Sequence, residues 1–187
     1  MRPLIAPLVV LVCLVAVAVA QRVQLSPRLP ERVAVHFGAS GKVDRWAARA
    51  DVLDQSAQAW VTVPLIFLGV TVLAVLSVRY LPPSMVNVPN KDYWMANPRR
   101  RWEAAAVLLG FFLWLAAAGV ALGMALTEDV VRASAAGQGT MFGLPAVLAC
   151  VVFVFVQVGL MMYRFTRVRG RGGEGAEPAA APDPAAR

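Results

Sequence analysis

A single histidine, His36, shares one stretch of the chain with four carboxylates, Glu31, Asp44, Asp51 and Asp54. An imidazole beside carboxylates could hold a metal or move a proton. Zinc, however, needs three or four ligands at a recognisable spacing, and neither an H-E-x-x-H sequence nor a cysteine pair accompanies His36. Structural hydrogen bonding is therefore the expected role of His36, and no metal or other cofactor is expected. With no nucleophile motif and no glycine-rich phosphate cradle, the chain is not expected to be an enzyme.

A second informative stretch holds Asn87, Pro89, Asn90, Lys91, Tyr93 and Trp94, followed by Arg99, Arg100, Arg101 and Trp102. It predicts a proline-fixed extended segment leading into a helix. Tyr93, Trp94 and Trp102 have the character of interface anchors, because amphipathic rings settle at headgroup level. Arg99, Arg100 and Arg101, next to an apolar run, can attract anionic lipid at about 1 kcal/mol per charge.

These stretches must be positioned by apolar helices. Of the 187 residues, 59% are hydrophobic and 16% charged, with a mean hydropathy of +0.63. The apolar residues fall in four uncharged runs, about 4–20, 59–78, 104–126 and 141–163, and about 20 such residues cross a bilayer core. Val, Ile and Phe are frequent in them, yet in hydrocarbon each backbone polar group must be bonded within its own segment, so helix is expected. The fold class is an all-α membrane protein: a four-helix transmembrane bundle over 1–163 with a short extracytoplasmic strand-turn loop. Residues 21–58 and 79–103 form the outer and cytoplasmic loops, and 164–187, rich in Arg and then in Gly, Ala and Pro, a disordered cytoplasmic tail.

Net charge is +7, and its placement bears on topology. The second connection carries Arg79, Lys91, Arg99, Arg100 and Arg101 against Asp92, and Arg164, Arg167, Arg169 and Arg171 follow the last run. Positive-inside bias puts that side, and with it both termini, in the cytoplasm. The first connection also has six basic residues, mixed with its acids, which is a contrary signal. No basic stretch has the setting of a nucleic-acid-binding fold, so nucleic acid is not an expected partner. A second reading of the start is a secretory signal, with Ala18-Val19-Ala20 as its cleavage site.

Within the outer loop, Val33, Val35 and Phe37 alternate with Ala34 and His36, and Gly38 to Gly41 favours a turn. Cys13 and Cys150 fall within the apolar runs and are expected to be small packing residues rather than a disulfide. The third run contains Gly119 and Gly123, a G-x-x-x-G that would let two helices approach, inside the bundle or between two copies of the chain. Thr62, Thr71, Ser77 and Gln157, with Pro64 and Pro145, are the polar groups and breaks in the runs. With no carboxylate or histidine at midplane depth, they offer little for a transport pathway.

Pro30, His36, Phe37, Gly41, Asp44 and Trp46 follow the first run in a pattern of proline, apolar stretch and His-aromatic-x-x-x-Gly. Together with the stretch Asn87 to Trp94, this resembles a bacterial membrane-protein family, the 1648 domain of unknown function, over roughly residues 1 to 105. That family includes SdpI-like immunity proteins, which protect a cell from a secreted toxic peptide and can sequester a repressor at the membrane. Those proteins carry a further multi-span domain, whereas only two runs and a tail remain here. The resemblance implies a non-enzymatic protein of the bacterial inner membrane that binds a peptide, lipid or protein in envelope stress or toxin immunity. A transporter or accessory transport subunit, and a membrane enzyme using the His36 loop, are the alternatives.

Overall fold

The computed structural model describes residues 2–38, 42–136 and 143–167. Gly41, residues 141–142 and the tail beyond residue 167 lie outside them. The chain runs as α1 (Arg2–Leu25), a 3-10 turn, the strands β1 (Arg32–Phe37) and β2 (Val43–Ala48), α2 (Arg49–Tyr80), a second 3-10 turn, α3 (Lys91–Met95), α4 (Pro98–Ala136) and α5 (Gly143–Thr166). Four of the helices are long and apolar enough to cross a membrane. Their large side chains stay exposed, among them Val23 at 70%, Leu73 at 66% and Phe155 at 73%. A soluble monomer does not carry apolar surface of that extent. The protein is an integral membrane protein with a small antiparallel sheet.

α4 is the hub, with α1, α2 and α5 each packed against it. The residues it buries are small with one exception: Ala104, Ala105, Gly110, Ala117, Ala133 and Ser134 beside Val131. Hydrocarbon supplies no hydrophobic drive to pair helices, so close approach over small residues and van der Waals contact holds them together. Gly110 illustrates this, since a Cβ there would touch Leu4 Cδ2 of α1 at 3.4 Å. Pro7 of α1 is fully buried.

The helices outrun the apolar runs. α4 has 39 residues and is about 58 Å long at 1.5 Å per residue, roughly twice the hydrocarbon thickness. Residues 127–136, which follow the third apolar run and fall in the connection to the fourth, are helical. Their alanines favour helix, and Arg132 Nε lies 3.1 Å from Glu128 Oε1 as an i,i+4 pair. Residues 49–58, expected in a loop, are the start of α2. At its other end α2 stops at Tyr80, where Pro82 and Pro83 cannot continue it.

The bundle therefore has two unlike ends. The hairpin of β1 and β2 follows α1 and meets the far end of α4, while α3 and its flanking turns meet the ends of α2 and α5.

Candidate functional site

At the hairpin end, β1 and β2 pair antiparallel from Arg32 opposite Ala48 to Phe37 opposite Val43, with register irregularities on both sides of His36. Val33 and Ala34 are both buried, which breaks the simple alternation expected of this strand. The reason is that β1 is covered by α4. The Ala34 amide donates to Ser134 Oγ at 2.9 Å, and the Ser134 hydroxyl donates to the Val130 carbonyl at 2.6 Å. This hydroxyl fastens the hairpin to the extended end of α4.

The hairpin brings His36 and Asp44 together. His36 Nδ1 lies 2.6 Å from Asp44 Oδ1, and since a carboxylate only accepts, Nδ1 is the donor of this bond and Nε2 is left to other partners. Both side chains are more than half exposed, at 57% and 51%. Next to them, the Gly38 amide donates to the Lys42 carbonyl at 2.8 Å. A Cβ on Gly38 would come within 3.3 Å of Asp44 Oδ2, so a larger residue there would press on the pair. Pro30, Phe37 and Trp46 are half-buried. An oriented imidazole with a free Nε2 can recognise a donor or relay a proton. No group of three His, Cys, Asp or Glu that could hold a metal occurs among the described residues.

The α3 end is built differently. Asn90 adopts the left-handed region at φ 54°, and its side-chain amide donates to the carbonyls of Phe165 and Thr166 at 3.1 and 3.2 Å. Trp94 Nε1 donates to the same Phe165 carbonyl at 3.2 Å. These bonds satisfy carbonyls that the last turn of α5 leaves open. Trp94 is buried, in edge contact with Tyr93 and Phe165 at ring-centroid distances of 5.2 and 5.4 Å. Val78, Val86, Met95, Ala104 and Ala105 complete the cluster around them. Trp94 is thus not the interface anchor its residue type suggested, because Phe165 and two alanines of α4 leave a slot that its ring fills.

The three consecutive arginines have separate surroundings. Helix geometry turns successive side chains by about 100°. Arg99 is exposed and pairs with Glu103 at 3.4 Å, Arg100 lies over the Tyr93 ring at 3.9 Å, and Arg101 donates to the carbonyls of Arg79 and Leu81 at 3.3 and 2.9 Å. Arg101 is therefore a cap for α2 as well as a candidate headgroup contact. Trp102 stays exposed beneath the Arg79 guanidinium at 3.8 Å. Asn97 starts α4 by accepting from the Arg100 amide at 2.9 Å, with Pro98 as the first helical residue. Asn87 and Lys91 are exposed and Pro89 is half-buried.

Residues 8–53 match the family described as Domain of unknown function (DUF1648). The match lies in the N-terminal part of the chain and covers less than half of it. No curated protein and no solved structure matches the chain. The DUF1648 segment takes in most of α1, the whole hairpin and the first turn of α2. His36, Phe37, Asp44 and Trp46 lie within it, and the stretch Asn87 to Trp94 lies beyond it.

Along the spans, Gly119 and Gly123 meet nothing within 4 Å of an added Cβ. Among the described residues the G-x-x-x-G thus has no other helix against it, and the helices gather on different small residues of α4. A recess of about 400 Å³ between α1, α4 and α5 is lined by apolar side chains, among them Leu14, Trp114, Cys150 and Phe153. The Thr71 and Ser77 hydroxyls donate to the carbonyls of Phe67 and Leu73 within their own helix. Neither feature supplies groups that would replace an ion's hydration shell.

Sequence reasoning passed over Arg22 and Ser134. Arg22 donates from Nη1 to Ser56 Oγ at 2.8 Å and from Nη2 to the Leu53 carbonyl at 3.2 Å, tying α1 to α2. Its signal was its place, the first charge after the uncharged run that begins at Leu4. Ser134 gave no signal, being one serine among alanines.

Proposed function

We propose that the chain is a non-enzymatic module of the bacterial cytoplasmic membrane, with both termini in the cytoplasm. Its hairpin end faces outward and binds a peptide or protein in toxin immunity or envelope stress. One observation carries this reading. The hairpin is fixed along β1 by Ser134, while among the described residues β2 pairs with β1 alone and keeps its outer edge unpaired. An extended peptide can add to such an edge through main-chain hydrogen bonds. Asp44 and Arg45 on β2, with the oriented His36, would supply selectivity and discourage indiscriminate pairing. The cytoplasmic assignment of the α3 end rests on its arginines, Arg79, Arg99, Arg100, Arg101, Arg164 and Arg167.

Deleting the gene should sensitise cells to a secreted toxic peptide or to envelope stress. A photo-crosslinker at position 45 should then capture the peptide concerned. Unchanged sensitivity together with no crosslinked partner would sink the proposal.

A second reading has the His36–Asp44 pair in its favour: a membrane enzyme in which Asp44 orients the imidazole as a base. It requires His36→Ala to abolish a measurable turnover while the protein stays folded.

A further inference from the structure

Three of the apolar runs end at one level of the bundle. The run of α1 gives way to Gln21 and Arg22, that of α2 begins just after Ser56, and that of α4 ends at Leu126 before Thr127. All of these residues line a single cavity of about 230 Å³ at the hairpin end. Its depth is thus where hydrocarbon meets headgroups, whichever side of the membrane the hairpin occupies. The remaining wall is largely apolar, with Leu25, Leu53, Val130 and Val131.

Among the described residues Arg22 is the one charged residue lining this cavity. It is half-buried, and no carboxylate among the described residues lies within ion-pair distance of it. Two of its five N–H groups are used, on Ser56 and Leu53. Of the carboxylates near this level, Asp54 is bonded to Gln58 and Glu128 to Arg132, and neither Asp51 nor Asp129 forms an ion pair with Arg22. A guanidinium against an apolar wall without a counter-charge is costly unless an anion supplies one.

We propose that Arg22 and this cavity form a site for an anionic phospholipid of the surrounding bilayer, the phosphate seated on the guanidinium and the glycerol end in the cavity. Guanidinium matches phosphate in shape and charge. The volume is below the roughly 300–1,000 Å³ of pockets that engulf a small molecule, so only the head end enters. The acyl chains lie outside, along exposed apolar residues of α1 and α2 such as Val19, Val23 and Val63. That continuity with the lipid-facing surface favours a phospholipid over a soluble anion.

The test uses the full chain purified in a non-ionic detergent and titrated with dioleoyl phosphatidylglycerol, dioleoyl phosphatidylcholine or inorganic phosphate, with retained molecules counted by native mass spectrometry. One phosphatidylglycerol should be held with about tenfold preference over phosphatidylcholine, the scale of a charge-assisted bond. Arg22→Gln should remove that preference and Arg22→Lys retain part of it. Leu53→Trp, which fills the cavity and keeps the charge, provides an independent variant should Arg22→Gln not fold, as judged by circular dichroism and size exclusion. Equal retention of the two lipids, unchanged retention in a folded Arg22→Gln or Leu53→Trp protein, or displacement of phosphatidylglycerol by inorganic phosphate would each overturn the assignment.

Discussion

At the α3 end, a buried tryptophan and an asparagine bond the terminus of α5, and an arginine caps α2. At the hairpin end, one serine hydroxyl and two small buried strand residues hold the sheet, and the polar pair above them stays exposed. The first arrangement uses Asn90, Trp94 and Arg101 on the fold itself, and leaves one buried donor there, Arg79 Nε, without a partner among the described residues. The second leaves His36 Nε2, the edge of β2 and much of the Arg22 guanidinium without partners among the described residues. Recognition needs groups that the fold has not already satisfied, so the comparison points to the hairpin end. The DUF1648 match includes the hairpin and Arg22.

Trp94→Ala is the largest expected break. It removes a buried ring, two aromatic edge contacts and the bond to the Phe165 carbonyl, a loss of about 3–5 kcal/mol. Unfolding by sodium dodecyl sulfate titration from mild detergent measures it. Trp94→Phe keeps a ring and loses the donor, and should cost nearer 1 kcal/mol. If Trp94→Ala proved milder than any substitution at the hairpin end, the comparison would be reversed.

Ser134→Ala comes next. The buried Ala34 amide would lose its acceptor, at about 1–3 kcal/mol. The effect should be local, with faster hydrogen exchange at Ala34 and earlier proteolysis within residues 32–48, while α3 remains protected. Exchange that rose equally at both ends would show that the hairpin is not a separately held unit.

Asn90 separates backbone conformation from bonding. Its positive φ is unfavourable for most side chains by roughly 1–2 kcal/mol, and its amide also serves two carbonyls of α5. Asn90→Ala should lose both contributions, whereas Asn90→Gly keeps the conformation and loses only the bonds. Equal loss in the two variants, read from thermal unfolding in detergent, would mean that bonding alone matters there.

The four spans were legible because uncharged runs of this length have few alternatives. Their ends were not, because hydropathy marks where lipid stops and not where a helix stops. Residues 127–136 continue α4 in a polar sequence. His36 and Asp44 were both visible as types, but their contact depends on a hairpin register that two irregularities alter. Trp94 was misread for the opposite reason: its type suits an interface, and only the fold brings up Phe165, 71 residues away, to bury it. Ser134 acts on Ala34 across 100 residues, a relation no local pattern encodes.

His36→Ala should have the smallest effect on stability and the largest on the proposed binding. The side chain is exposed and its one bond is to an exposed aspartate, so the change in unfolding free energy should stay within about 0.5 kcal/mol. Crosslinking from position 45 and the resistance conferred on cells should nevertheless fall, because the ring that Asp44 orients would be gone. Asp44→Asn sharpens the point, since an amide oxygen can still accept from Nδ1 but lacks the charge. If His36→Ala left crosslinking and resistance intact, the exposed pair would be a feature of the turn. Recognition at this end would then have to reside in the backbone edge of β2.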